Sequence, residues 1–533
     1  MTEHTEHDRL PHRGDPAAST LIASLDNPLA FGHPVQYLRM IETHISWVLL
    51  TGHYAYKIKK PVNFGFLDFS TLEKRHRYCA EELRLNRRFA PEIYLELVEI
   101  CGSETAPRIG GSGKVVEYAI KMLEFPQHCL LSAQAAEGSL DAEIVDAIAD
   151  TLAETHDASE RADPEEDFGS AAQVARWSDE NLVQIAAAIP VEYLPNSYFE
   201  LKRWYRENGS LLEIVDARRA TGRVRDCHGD LHLGNMAMID GKLRFFDCIE
   251  FNPELRWIDT ISETAFVAMD LHARGYPGYC WRFLNRYFER SGDFAGLALL
   301  RYYFVYRALV RAKVEALRAR QQQDDEREDR SRFAAAIDYI DLAASWAGRH
   351  RAGLILMHGL SGSGKSTVAA QLVERLGAIQ LRSDVERKRL FELDATDDSG
   401  SGPGGGIYTA AASDATYRRL YDLAMGIVAA DFTVIVDATL LEESKRKPFL
   451  DDEAGSPMHR IIIDCTAPEA ELRRRIAARS DDASEATLEI LDRQLRVQEP
   501  IGERERTLAN VIEVGSDGLD EAMVGRIRGL LFS

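Results

Sequence analysis

Two apolar rhythms share this chain, and they change over near residue 353. Between about 35 and 125 the alternation is mostly that of strands. THISWVLLTGHYAYKIKK (43–60) has two alternating runs around Thr51-Gly52 and predicts a hairpin. STLEKRHRYCAEELRLNRRF (70–89) carries apolar residues at helical spacing beneath a charged face, with Ser70 as the expected N-cap. VVEYAIKMLEF (115–125) predicts a further strand. From about 130 to 350 the period is helical, broken by a polar stretch, CHGDLHLGN (227–235), and by the short strand pair MAMID and KLRFFD. After 353 the apolar segments GLILMH, QLRSD, FTVIVDA, HRIIIDC and NVIEV alternate with helical segments, the pattern of a parallel α/β sheet.

The expected organisation is a disordered leader (1–20), an α+β domain (21–335) whose strand-rich part runs to about 126, a helical linker (336–352) and an α/β domain (353–533). The charged run ARQQQDDEREDRSR (319–332) reads as a solvated helix near the boundary. The glycine-rich DDSGSGPGGGIY (397–408) lacks a Gly-Lys pair and reads as a mobile loop or lid.

Composition adjusts this picture in three ways. A chain of 533 residues exceeds what one hydrophobic core normally serves. A formal net charge of −21 argues against a broad nucleic-acid footprint, which is normally basic, but leaves room for a local basic cleft. Seven scattered cysteines without a CxxC pair suit free thiols in a reducing cytoplasm. The polar N-terminus has no apolar signal core and no segment reaches membrane-span length, so a cytoplasmic protein with no membrane partner is expected.

GLSGSGKS (359–366) fits GxxxxGK[ST] between a strand and the helix STVAAQLVERL. Gly359, Leu360, Ser361, Gly362, Ser363 and Gly364 form a backbone curl whose N–H groups can face phosphate oxygens. Lys365 reaches the β/γ-phosphates, and Ser366, followed by Thr367, opens the helix and can ligate Mg²⁺. Asp384, just past a strand end, can accept a hydroxyl proton, and Arg387 three residues later can hold an anionic group. Asp437 ends another strand and is a candidate for the outer shell of the metal. Arg475 and Arg479, four apart on one helical face, read either as a phosphate clamp or as a solvated basic face. These elements resemble the small-molecule P-loop kinases, among them gluconate-kinase-like, chloramphenicol-phosphotransferase-like and polynucleotide-kinase domains. The S-D-x-x-R element implies a general-base role for Asp384.

CHGDLHLGN admits a zinc reading through His228 and His232, but Gly229 and Gly234 argue against a helix there and no third ligand is evident. A phosphotransfer reading fits better. Asp230 and Asn235 match D-x-x-x-x-N, and Asp247 follows twelve residues later at the end of KLRFFD. Asp230 can orient or deprotonate an acceptor hydroxyl while Asn235 and Asp247 hold Mg²⁺. HGDLHLGN followed by FFDCIEFN resembles the aminoglycoside-phosphotransferase branch of the bilobal protein-kinase-like fold, over about residues 35–330. The resemblance implies Lys57 as the ATP lysine with Lys59 as the alternative, Glu82 rather than Glu81 as its helix partner, and EYAIKMLEFP (117–126) as the hinge. The first predicted hairpin turn carries one glycine, Gly52, in place of G-x-G-x-x-G.

The whole arrangement resembles bacterial bifunctional proteins that join an aminoglycoside-phosphotransferase-like domain to a P-loop kinase. It implies two sites using ATP and Mg²⁺, each phosphorylating a hydroxyl of a small sugar- or polyol-like acceptor. Two other readings stay open: a regulatory module in which only the P-loop domain is catalytic, and a polynucleotide 5′-hydroxyl kinase, which the acidic balance disfavours.

Overall fold

A computed structural model of the protein describes residues 16–63, 67–321, 330–348, 352–395, 397, 399–401, 405–451, 458–478 and 487–532. Six antiparallel strands form the first sheet: β1 (Arg39–Glu42), β2 (Ser46–Leu50), β3 (Tyr54–Lys59), β4 (Tyr94–Ser103), β5 (Ala106–Ile109) and β6 (Val115–Leu123). Their order is β1-β2-β3-β6-β4-β5. Strand alternation sorts β3 by face. Tyr56 and Ile58 enter an apolar cluster with Phe31, Leu49 and Ile100. Lys57 and Lys59 point the other way, under the helix Leu72–Asn86.

Two local expectations are corrected here. The helix is capped by Thr71, whose hydroxyl accepts from Lys74 N at 3.3 Å. Ser70 lies one residue outside the cap position, and its amide and hydroxyl both donate to Asp68. The hairpin expected around Thr51-Gly52 is formed by β2 and β3, but it is the second hairpin, not the first. The β1–β2 turn is Thr43-His44-Ile45, contains no glycine, and is closed by Thr43 Oγ1 accepting from Ser46 N at 3.0 Å. Gly52 (φ +90°) instead sits at the hinge end, where its amide and that of Thr51 donate to Glu124 at 2.8 and 3.0 Å.

Beyond Glu124 the domain becomes helical. Two small two-stranded sheets interrupt it: β7 (Val224–Asp226) with β10 (Trp257–Asp259), and the hairpin of β8 (Met236–Ile239) and β9 (Lys242–Phe245). The long helix Leu297–Gln321 packs against the helix Thr260–Ala273 and against Ala334–Ala347. The stretch expected as a linker therefore carries a packed helix. Its Ile337, Ile340 and Trp346 are buried, and Trp346 stacks on Phe304 at 3.6 Å. Residues 1–15 of the expected leader lie outside the described residues, and Pro16–Ser24 is helical. Residues 322–329 of the charged run, and 398 and 402–404 of the glycine-rich loop, also lie outside them.

The second sheet is parallel: β11 (Gly353–His358), β12 (Ala378–Arg382), β13 (Thr433–Asp437), β14 (His459–Cys465) and β15 (Asn510–Val514), in the order β12-β13-β11-β14-β15. β11 and β13 are buried along their whole length, as their unbroken apolar runs require between two helical layers. The chain steps from β11 to one side and later to the other, so a crevice opens at the carboxyl end of β11. The described helices include none long and apolar enough to cross a membrane.

Candidate active sites

The first candidate site is drawn from four separated segments. Lys57 Nζ donates to Glu82 Oε1 at 2.7 Å and pairs with Asp247. Lys59 pairs with the other Glu82 oxygen at 2.5 Å and with Glu250. Glu82 is thus fully buried between two lysines, while Glu81 turns away to Arg84 at 2.7 Å. The two lysines now separate. Lys57 faces Asp247 and its side chain is 11 % exposed; Lys59 is walled in at 1 %. Burial would lower the Lys57 pKa, but Asp247 and Glu82 outweigh it and hold the ammonium well above its ordinary value. Asp247 shows the converse: burial pushes its carboxyl up, and Lys57 pulls it below the ordinary value. Its backbone, at φ +65°, donates to the Tyr94 hydroxyl at 3.1 Å.

The 227–235 stretch is a loop ending in a short 3₁₀ turn, Leu233–Asn235. Gly229 (φ +89°) is required there, since a Cβ would come within 2.7 Å of Leu255 O. His228 is buried, and its Nε2 bonds Phe246 O at 2.9 Å; burial keeps its pKa below the ordinary value. His232 Nδ1 accepts from Gly234 N at 3.0 Å and caps the turn. Both histidines bond within the loop and its neighbouring hairpin. Asn235 donates to Asp230 O at 2.9 Å and to its carboxylate at 3.2 Å.

The loop's supports were not legible in the sequence. Glu263 accepts the amides of His228 at 3.2 Å and Gly229 at 2.6 Å. His156 bonds Glu263 at 3.1 Å through Nε2 and Tyr287 at 2.8 Å through Nδ1. Arg307 donates to Gly229 O at 2.9 Å. None of these has a local signal. Glu250, three residues after Asp247 in FFDCIEFN, had one in its spacing.

The second candidate site is contiguous. Gly359, Gly362 and Gly364 take φ of +136°, +85° and +95°. The curl they form opens on a cavity of about 790 Å³. Ser361, Ser363, Lys365, Ser366, Thr367, Asp384, Arg387, Asp437 and Arg475 all line it. Lys365 Nζ rests on Leu360 O at 2.8 Å, across the mouth of the curl. Arg475 lies over the loop, its Nη1 3.3 Å from Gly362 O. Arg479 lies outside the described residues. Asp437 accepts from Gln380 Nε2 at 2.8 Å.

Arg387 is 8 % exposed, its guanidinium 4.9 Å over the Tyr408 ring. Its Nη1 reaches Ile407 O at 3.3 Å, and its buried Nε has no hydrogen-bond partner among the described residues. Sequence reasoning missed Gln494, which accepts from Ser361 N at 2.8 Å and donates to Ser361 Oγ at 3.0 Å. It comes from the distant helix Leu488–Val497 and carries no local signature. The glycine curl, the lysine and the hydroxyl at the helix start together fit a magnesium nucleotide.

Comparison with known proteins agrees with this division. Residues 74–262 match the Phosphotransferase enzyme family, and residues 354–501 match an AAA domain family. An uncharacterized protein of Mycobacterium tuberculosis is 31 % identical over 476 residues, spanning 87 % of this chain and 92 % of that protein. A Mycobacterium bovis protein matches to the same extent. The chain belongs to this two-domain family, an aminoglycoside-phosphotransferase-type domain joined to a P-loop kinase domain. Its fold is accordingly kinase-like in the first half and a P-loop kinase with a parallel sheet in the second. Both halves are kinase-type domains, and phosphotransfer is the function class they support.

Among solved structures, a Janibacter sugar kinase is similar at 18 % identity, covering 34 % of this chain and 94 % of its own, with a TM-score of 0.27. An ethanolamine kinase from Plasmodium vivax is similar at 8 % identity, covering 64 % and 95 %, with a TM-score of 0.37.

Proposed function

We propose that the protein is a bifunctional ATP-dependent phosphotransferase, with units at 21–335 and 353–533 that each transfer a γ-phosphoryl group to a hydroxyl of a small sugar- or polyol-like acceptor. The observation that carries this reading is the shared cavity of the second site. Asp384, the candidate base, and Lys365 and Ser366, the candidate phosphate and metal groups, line one space of about 790 Å³.

In the second site the curl amides bind the phosphates, and Lys365 leaves Leu360 O for the β/γ-phosphates. Arg387, which lines the same cavity, holds a polar or anionic group of the acceptor and orients it. Asp384 takes the proton of the acceptor hydroxyl as that oxygen bonds to the γ-phosphorus and the bond to the β-phosphate oxygen breaks, releasing ADP. In the first site Asp230 serves as base and Lys57, held by Glu82, faces the phosphates. Mg²⁺, held by Ser366 with Asp437 in its outer shell in one site and by Asn235 and Asp247 in the other, would supply charge neutralisation on the phosphates.

A second reading has its own observation. The β1–β2 turn, Thr43-His44-Ile45, offers no glycine loop to wrap phosphates, and Lys57 already pairs with Asp247. In that reading the first domain binds nucleotide and regulates, and only the second transfers. Phosphorylation of a metabolite extract with labelled ATP separates the two. The bifunctional reading expects two sets of labelled products, one lost in Asp230→Ala and the other in Lys365→Ala. Products lost only in Lys365→Ala select the regulatory reading, and unlabelled extracts would overturn both.

A further inference from the structure

The two domains meet where the second site is built. β12 is an edge strand of the parallel sheet, so its outward backbone groups have no neighbouring strand to bond. The helix Pro277–Ser291 of the first domain takes that place. Asn285 Nδ2 donates to Ala378 O at 2.8 Å, and Asn285 Oδ1 accepts from Gln380 N at 2.6 Å. One side-chain amide thus pairs both a carbonyl and an N–H of the strand, as a backbone neighbour would.

The contact is fixed on both sides of Asn285. Trp281 lies against Gly377, where a Cβ would come within 2.7 Å of its Nε1. Arg282 forks between Asp146 of its own domain at 2.7 Å and Glu374 of the P-loop helix Lys365–Leu376 at 3.0 Å. At the far end of the strand, Arg382 reaches Glu289 at 3.4 Å and Arg389 bonds the Glu289 carbonyl. Arg389 belongs to the helix Ser383–Leu390, which also carries Asp384 and Arg387.

Gln380, the residue whose amide Asn285 holds, sends its side chain across to β13 and donates to Asp437 Oδ2 at 2.8 Å. β12 and β13 run in parallel register there, with Arg382 opposite Asp437. A hydrogen bond to one carboxylate oxygen fixes the rotation of the group and directs the other oxygen.

We propose that the first domain is a structural part of the second site: Asn285 is a positioning residue that sets Gln380, and through it the Asp437 carboxylate that serves the metal side of the P-loop. This rests on the proposed role of Asp437 in the second site. Asn285 touches neither nucleotide nor acceptor; it acts through the strand edge. The P-loop site is then complete only with the first domain docked, whichever chemistry the first domain performs.

The test uses the full chain in an Asp247→Ala background, so that the Mg²⁺-dependent signal comes from the second site. The readout is the Mg²⁺ concentration that half-maximally tightens binding of a fluorescent ATP analogue, with Mg²⁺-free affinity measured alongside. Gln380→Ala should raise half-saturation by about 10-fold, the usual scale for losing an outer-shell partner, and Asn285→Ala by about 5-fold. Mg²⁺-free affinity should stay unchanged, which general loosening of the domain would not allow. The double variant should resemble Gln380→Ala alone, because both act through one path. If Asn285→Ala does not fold, Asn285→Asp has the same shape, loses the donation to Ala378 O, and should shift half-saturation in the same direction. A shift in Asp437→Asn and Gln380→Ala with none in the Asn285 variants would overturn the proposal while leaving the function intact. No shift in Asp437→Asn would overturn it at its base. Undiminished nucleotide binding in Lys365→Ala would instead bring down the functional reading of the site.

Discussion

The two candidate sites place similar groups in opposite states. In the first, the cations are already satisfied: Lys57 and Lys59 share Glu82, and each has a further carboxylate in Asp247 or Glu250. In the second, the key groups face an open cavity, with Lys365 on a backbone carbonyl and Arg387 beside the Tyr408 ring. A site gathered from distant segments must be held by its own ion pairs, because nothing local orients its members. A site built on one loop is held by the backbone and can leave its charged groups ready for a ligand. Mutations of the groups that hold each site together should therefore register as stability in the first, and mutations of the groups that face the ligand as affinity in the second.

The largest effect expected from this contrast is at Glu263. Glu263→Ala leaves His156 and the amides of His228 and Gly229 without their buried acceptor, and should cost about 3 kcal/mol in denaturant unfolding. Nucleotide binding at the P-loop should persist in the folded protein. The pH dependence has a definite sign. Burial pushes the Glu263 carboxyl up, but His156 and the loop amide outweigh it and hold it at about 2. Its folded pKa lies below the unfolded one, so it contributes stability above the ordinary carboxylate range. That contribution is lost as pH falls from there toward 2, and acid unfolding should be flatter in the variant. An unaltered acid profile would break the contrast on the first-site side.

A smaller effect is expected at Arg475, which lies over Gly362 O and is partly exposed. Arg475→Ala should weaken ATP binding at the second site about 5-fold, the scale of one screened ion pair, and leave the melting temperature unchanged. Loss of stability without loss of affinity would show that the arginine supports the helix Glu469–Ala477 rather than the phosphates.

The legibility of the sequence follows the same divide. GLSGSGKS was readable because its cradle is local backbone, and five apolar runs were enough for the five parallel strands. Asp230, Asn235 and Asp247 could be put forward together from their spacing along one loop and hairpin. Lys57 and Lys59 could not be told apart on one strand face; only Glu250 and Asp247, some 190 residues away, separate them. The hairpin turning at Thr51-Gly52 was readable, but not that another precedes it, because β1 is short, exposed on three of its four residues and weakly patterned. Thr71 rather than Ser70 caps the helix, a choice between neighbouring hydroxyls that residue preference alone cannot rank. Glu263, Gln494 and Asn285 act through tertiary contacts more than 30 residues along the chain, where no periodicity points.

The central claim, that one chain carries two separate nucleotide sites, is tested most directly by counting. Equilibrium dialysis of the full chain with ATP and Mg²⁺ should give two nucleotides bound per chain. Asp247→Ala and Lys365→Ala should each retain one, and the double variant none. A single nucleotide bound to the wild-type chain, abolished by Lys365→Ala and untouched by Asp247→Ala, would contradict the account.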